Sequence, residues 1–329
     1  MSGYAGQRVL VTGAGGFIGS HLAEMLAEQG ARVRAMVRYG SAGRWGWLDS
    51  SPLAGELEVV AGDIRDPETL AAAMDGVDTV FHLAALIAIP YSYVTPLAYV
   101  RTNVEGTVNV LQAARAAGVR RVVHTSTSEV YGTARYVPID EAHPLQGQSP
   151  YSASKIGADK LAESFWAAYE LPVVIVRPFN TYGPRQSARA VIPTLITQAL
   201  TGAPVALGAL TPTRDFTFAT DTAAGFLAAG LAGPDALGKT INLGVGSEIS
   251  IGDLAKRIEA IVGRPLELRR DPERERPAAS EVQRLLSDNR LARELLGWQP
   301  QISLDDGLRR TLAWLSEHRD LYRPGVYQR

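Results

Sequence analysis

The chain has 329 residues, 46% of them hydrophobic and 20% charged, with 33 basic side chains against 34 acidic ones and a formal net charge of -1. That length suggests about two domains' worth of chain and a large core, which excludes whole-chain disorder, and the even charge balance leaves no basic surplus for a nucleic-acid stripe. Cysteine is absent, which excludes disulfides, thiolate catalysis and Cys-based zinc sites, and the five histidines (His21, His82, His124, His143, His318) lie too far apart for a local His-x-x-x-His motif, so no metal is expected. In chain order, Val9-Leu10-Val11 reads as a buried strand, and Phe17 to Gln29 as a helix ending at Gly30. Further strands are predicted at Val33 to Val37, Leu57 to Val60, Thr79 to Leu83, Arg121 to Thr125 and Val173 to Val176. Helices are predicted from Leu97 to Ala117, stopped by Gly118, and from Tyr151 to Tyr169, stopped before Pro172.

Alternating apolar strands and helices predict an α/β fold: a Rossmann-like, doubly wound parallel sheet with ligands at the carboxyl ends of its strands. After Arg177-Pro178 prolines and glycines become frequent, so residues 1–178 are expected to form a dinucleotide-binding domain and 179–329 mainly a smaller C-terminal substrate-binding lobe. Pieces near 214–243 look like sheet and helix again and are expected to interleave with the first domain. Met1 to Gln7 carries no charged-then-apolar secretion pattern, and no apolar run nears the ~20 residues that span a bilayer. A soluble, cytoplasmic protein without membrane or nucleic-acid partners is the expectation.

Three motifs carry the chemistry. The first is Val11-Thr12-Gly13-Ala14-Gly15-Gly16-Phe17-Ile18-Gly19, at a strand-to-helix junction. Glycines 13, 16 and 19 permit a tight turn and close backbone approach to a pyrophosphate, which the helix then meets with free N–H groups and its positive dipole end. The second is Thr125-Ser126-Thr127-Ser128-Glu129-Val130-Tyr131-Gly132, at the carboxyl end of a predicted strand. The third is Tyr151-Ser152-Ala153-Ser154-Lys155, which puts a phenol and an ammonium on one face of a helix. A lysine there is expected to favour the phenolate, so that Tyr151 can take a proton from a substrate hydroxyl while hydride leaves the same carbon.

In this order and spacing the motifs resemble the extended short-chain dehydrogenase/reductase superfamily over essentially the whole chain. The resemblance implies a nicotinamide cofactor held by Gly13, Gly16, Phe17, Ile18 and Gly19, with Asp63 and Ile64 at the adenine. Leu83, Ala84 and Ala85 would then pass the ribose, and Asn103, Tyr151, Lys155 and Pro178 would complete the contacts; Asn103 reads equally well as a purely structural buried residue. An NAD site usually places an acid at the end of the second strand, but the next acid here is Asp49. Arg38 can instead grip a 2′-phosphate, which tips the balance from NAD to NADP, the alternative being a solvated loop arginine. GDP-mannose 4,6-dehydratases, which use NADP, look alike in this stretch.

Glu129 separates the activities. A carboxylate beside C5 of a sugar can abstract the C5 proton once C4 is a ketone; the alternative is a cap for the turn that follows. The segment resembles the Ser-Thr-Asp-Glu-Val-Tyr-Gly of dTDP-glucose 4,6-dehydratases, but Ser128 replaces the aspartate that protonates the departing 6-hydroxyl. Glu129 itself, or a water held by Ser128, must then deliver that proton. Ser-Glu also resembles UDP-glucuronate decarboxylases. The wider context, including Trp45-Gly46-Trp47 and Asn180-Thr181-Tyr182-Gly183-Pro184-Arg185, resembles nucleotide-sugar 4,6-dehydratases similar to the GDP-N-acetylglucosamine enzyme of legionaminic acid synthesis.

The resemblance implies a dehydratase with Thr127, Ser128, Glu129, Tyr151 and Lys155 as catalytic residues. Asn180, Arg189, Val191, Arg214 and Arg276 would bind a nucleotide-diphosphate sugar, Arg214 and Arg276 gripping the diphosphate unless each is only a surface ion pair. A 4-epimerase and, outside catalysis, a dinucleotide-sensing protein remain alternatives; a sensor has no need of Thr127, Tyr151 and Lys155. Phe165 and Trp166, with the apolar stripe of Leu97 to Ala117, are expected to form the face of a homodimer, aromatics at helical spacing being otherwise core.

Overall fold

The computed structural model describes residues 3–323. Its centre is a sheet of seven strands: β1 (Arg8–Thr12), β2 (Arg32–Val37), β3 (Glu58–Ala61), β4 (Thr79–His82), β5 (Arg121–Thr125), β6 (Val173–Pro178) and β7 (Thr240–Leu243). They lie in the order β7-β6-β5-β4-β1-β2-β3, and every pairing is parallel. The order reverses between β1 and β4, so a crevice opens at their carboxyl ends, where open α/β sheets bind ligands.

The principal helices are α1 (Phe17–Glu28), α2 (Pro67–Ala73), α3 (Gly106–Ala117), α4 (Pro150–Tyr169), α5 (Val191–Thr201), α6 (Ala219–Leu231), α7 (Ile251–Val262), α8 (Arg290–Leu296) and α9 (Leu304–Glu317). Side chains alternate across each strand, which is why the strands must be apolar throughout. Val9, Val11 and Phe81 enter one core with Leu22, Leu26 and Phe226 of α1 and α6. Leu10 and Val80 enter the opposite core with Leu70, Val110, Leu111 and Phe165 of α2, α3 and α4. A separate core joins α5, α7 and α9 to the short strand Phe216–Phe218. Although β7 and α6 come late in the chain, they belong to the central sheet and its cover: β7 pairs with β6, and α6 packs beside α1. No helix among the described residues is long and apolar enough to cross a membrane.

Two expectations are corrected. The stretch from Leu97 to Ala117 is not one regular helix: a helical turn at Pro96–Tyr99 passes through a π-helical segment, Val100–Glu105, before α3 begins. The wide turn accompanies Asn103, whose buried side chain is held by neighbouring elements rather than by its own helix. Such insertions recur at functional sites. Nor do Phe165 and Trp166 form an outward face. Phe165 is buried with Leu171 and Val173, and the Trp166 ring lies against Gly238, because α4 needs that side to cover the sheet.

Phe81 lies in the middle of β4, fully buried, with its ring centroid 6.2 Å from that of Tyr4 and its edge against Gly230 of α6. Phe81→Ala is expected to cost about 3–5 kcal/mol of stability, read from the shift in a urea unfolding curve. A loss below about 1 kcal/mol would mean that this face closes over the gap.

Candidate active site

The site is assembled where β5 ends and α4 begins. Beyond β5 the chain stays extended through Thr127, whose Oγ1 accepts from the Glu129 backbone N–H at 3.3 Å and so caps the tight turn Ser128–Tyr131. The cap is therefore Thr127, and the Glu129 carboxylate is left for other work. At the start of α4, Ser149 and Ser152 form a reciprocal capping box and Pro150 occupies the first turn. This fixes the entry of the helix and sets Tyr151 and Lys155 one turn apart, 7% and 4% exposed.

Lys155 Nζ donates to the Thr125 carbonyl at 2.6 Å, tying α4 to the end of β5. Burial draws the Lys155 ammonium down to about 8, against the pull of Asp159 upward. Tyr151 differs from the sequence expectation. Burial pushes its phenol well above the ordinary tyrosine range; the Thr127 hydroxyl pulls it back, while the charge of Glu129 pushes it further up. The reason is local: folding excludes water from the phenol. The Tyr99 ring stands edge-on to Tyr151 at 6.2 Å and seals one side.

Opposite lies a charged cluster. Arg214, buried, donates from Nη1 to the Thr213 carbonyl at 2.9 Å and from Nη2 to Glu281 Oε1 at 3.2 Å. Arg276 Nη1 stands 3.6 Å from the same Glu281 oxygen and 4.0 Å from Glu129 Oε2, and it is buried with no hydrogen-bond partner. The Glu129 side chain is 13% exposed. Asn180 Oδ1 is likewise buried without a partner. Glu281 was not singled out from sequence; an acid five residues beyond Arg276 was the available signal. Arg189, exposed beside the first turn of α5, lies near enough for its charge to act on Tyr99. Val191 instead packs on the core of α5, α7 and α9.

At the other end of the crevice, Gly13 leaves β1 at φ +71°, and a Cβ there would sit 2.9 Å from the Ala84 backbone. Only glycine allows the two chains to cross so closely. Thr12, another residue missed in the sequence, locks that crossing, its Oγ1 accepting from the N–H groups of Leu83 and Ala84 at 3.1 Å each. The N-terminus of α1 follows at Phe17 and Ile18, and no side chain caps it. Trp47 N–H donates to the Gly15 carbonyl at 3.0 Å, so the segment after β2 leans on the glycine loop.

Arg38 lies exposed at the end of β2, and Asp49, the next acid, is spent accepting from the Trp45 N–H. Asp63 is gripped by the Arg65 guanidinium, which with burial opposing it holds the carboxyl below its usual range. Three residues expected at the cofactor are buried among structural neighbours. Ile64 is core, packed against Gly106. Pro178 ends β6 in register with Leu243, in buried strand. Asn103 is 1% exposed and exchanges hydrogen bonds with the Leu86 N–H and carbonyl and with Ser154 Oγ, pinning the segment after β4 to α4.

The crossing of β1 and β4, the uncapped helix and the Tyr151–Lys155 pair define a short-chain dehydrogenase/reductase-type site. The model of the GDP-mannose 4,6-dehydratase family matches residues 10–311, and the chain belongs to this family of nucleotide-sugar dehydratases and epimerases. It is 38% identical to a UDP-glucose 4-epimerase of Mycolicibacterium smegmatis over 93% of this chain and 98% of that one. It is 30% identical to the human dTDP-D-glucose 4,6-dehydratase, over 95% of this chain and 91% of the other. Among solved structures, the dTDP-glucose 4,6-dehydratase DesIV of Streptomyces venezuelae, with NAD bound, superposes with a TM-score of 0.89 at 34% identity, covering 96% of this chain and 99% of that one.

Replacing Asn103 by leucine strands the Leu86 N–H and carbonyl in a buried site. The expected loss is about 1–3 kcal/mol for each unsatisfied group, measured by urea unfolding; an unaltered curve would show that the pin carries no load.

Proposed function

We propose that the chain is a nucleotide-sugar 4,6-dehydratase, converting a nucleoside-diphosphate hexose to its 4-keto-6-deoxy form by transient oxidation at C4. The observation that carries this reading is Glu129. Its carboxylate is enclosed in the crevice, is relieved of capping duty by Thr127, acts electrostatically on Tyr151, and stands 4.0 Å from Arg276, too far for a hydrogen bond to tie it up. A simple 4-epimerase has no use for a second base beside Tyr151.

In this reading Tyr151 takes the 4-hydroxyl proton, and Thr127 hydrogen-bonds the same oxygen. Glu129 then removes the C5 proton, acidified by the new carbonyl, the 6-hydroxyl leaves as water with a proton from Glu129 or from the neighbourhood of buried Ser128, and C5 regains a solvent-derived proton by way of the Glu129 carboxyl as C6 is reduced. A nicotinamide dinucleotide, when bound, supplies the hydride acceptor at C4 and the hydride donor at C6, and ends each turnover as it began.

The glycine crossing at Gly13 and Ala84 and the uncapped α1 fit its pyrophosphate. Arg38 in place of an acid at the end of β2 favours NADP over NAD, although the solved relative carries NAD. Arg276 Nη1 and Asn180 Oδ1, buried without hydrogen-bond partners, suit the diphosphate and sugar together with Arg214; a diphosphate there competes with Glu281 for both guanidinium groups. Leu97 and Val100, both exposed, support a homodimer through the helical segment before α3.

The 38% identity to a named UDP-glucose 4-epimerase favours the second reading, inversion at C4 by Tyr151 with Glu129 serving only as a partner of Arg276. A panel of UDP-, GDP- and dTDP-hexoses in D2O separates the two. A dehydratase yields a product lighter by one water and deuterated at C5; an epimerase yields an isomer without solvent deuterium, and release of CO2 from a hexuronate would point to a decarboxylase. Glu129→Gln is expected to slow turnover by about 10²–10⁴-fold with little change in nucleotide-sugar affinity, and undiminished activity would overturn the dehydratase reading. Gly13→Ala, strained at positive φ and crowded against Ala84, is expected to abolish dinucleotide binding in a calorimetric titration with NAD and NADP, whereas wild-type affinity would move the cofactor away from this loop.

A further inference from the structure

Beneath Tyr151, α4 carries a buried charge that the proposed reaction does not use. Asp159 follows Lys155 by four residues, so their side chains share one helix face with Cβ atoms about 5–6 Å apart. That face is turned into the protein, and Asp159 is 0% exposed. Its Oδ2 accepts from Ser126 Oγ at 2.6 Å and from Arg177 Nη2 and Nε at 2.9 and 3.2 Å. His124 Nε2 stands 3.3 Å from the other oxygen, Oδ1. Arg177 donates its remaining reach to the Tyr131 hydroxyl at 3.0 Å. The carboxylate is thus immobilised from β5, β6 and its own helix at once.

The groups facing Lys155 can be taken element by element. From β4 and β5 come His82 and His124, both held below the ordinary histidine range by burial, with the Lys155 charge acting in the same direction, and so neutral. From β6 comes Arg177, whose charge is spent on Asp159 and Tyr131. From α4 itself come Tyr151 and Asp159. Among the described residues, Asp159 is the charge that acts on the ammonium and opposes the loss of its proton.

We propose that Asp159 is a positioning residue that holds Lys155 in its ammonium form beneath the reacting phenol. Burial brings Lys155 down to about 8, close to working pH, so without a neighbouring anion the side chain passes to the neutral amine. Burial works against ionisation of Asp159 too, but His124, Arg177 and Lys155 outweigh it and bring the carboxyl down to about 2, so the anion persists throughout the neutral range. A neutral amine still reaches the Thr125 carbonyl but no longer favours charge on Tyr151. The inference rests on the reading of Tyr151 as the base, and it holds for a dehydratase and an epimerase alike.

The chain has only four lysines, at 155, 160, 239 and 256, so protein labelled with 13Cε-lysine shows four side-chain signals by NMR, and Lys155→Arg identifies the buried one. The wild-type Lys155 signal is expected to titrate well below the other three; a midpoint among them, near the ordinary ~10.4, overturns the proposal. Asp159→Asn is expected to lower that midpoint by about one unit or more, a tenfold change in acid dissociation, and to move the basic limb of the kcat/KM profile to lower pH by the same amount. Because Asp159→Asn leaves Arg177 buried and unpaired, the double variant Asp159→Asn/Arg177→Gln is titrated beside it and is expected to show the same lowered midpoint. A purely structural Asp159 would reduce the melting temperature and leave the Lys155 midpoint in place, which also overturns the proposal. The NMR titration reads Lys155 directly, so it stands even if the product panel identifies a different reaction.

Discussion

The attachment of α4 to the end of β5 is the constraint on which the rest of the site depends. Lys155 Nζ and the Thr125 carbonyl make the visible bond, and Asp159, Ser126 and Arg177 brace it from behind. Fixing charged groups inside a protein is costly unless every partner is in place. Here the partners come from a helix and two adjacent strands, so the helix cannot slide or rotate without stranding a charge. Tyr151 is held against Thr127, and Glu129 within reach of both, because they ride on these locked elements.

The second constraint is the crossing of β1 and β4. Thr12 binds the Leu83 and Ala84 amides, Gly13 has no side chain to intrude, and Asn103 holds the following turn against α4 through Leu86 and Ser154. The two halves of the crevice, the glycine loop and α4, are thereby joined through the segment 83–88. Polar side chains that touch no reacting atom set the distance between them.

Facing this rigid wall is a softer one. Arg214, Arg276, Glu281 and Glu129 form two cations and two anions in loose contact, with Arg276 Nη1 lacking a hydrogen-bond partner. Charges arranged this way can exchange partners at little cost, since a dianion entering between the arginines replaces one carboxylate with a better acceptor. One wall is thus fixed and the other free to exchange partners, a division that fits the proposed reaction, in which chemistry needs fixed geometry and binding needs exchange.

Much of this was legible in the residues. Apolar strands alternating with helices specify a parallel sheet, because burial on both faces leaves no other economical pattern, and the predicted strands agree with the observed ones to within a residue or two. The glycine loop and the Tyr151–Lys155 spacing were readable because they are local, set by backbone conformation and helical periodicity. What could not be read were relations between distant segments: Glu281 against Arg214, Thr12 under Ala84, Asp159 against His124 and Arg177, and the inward turn of Phe165 and Trp166. The electrostatic balance at Tyr151 belongs to the same class, since a phenol's ionisation depends on how much water the folded chain excludes. Sequence determined the elements and the chemical groups they carry; only the tertiary structure decided which groups meet, and so which charges each one feels.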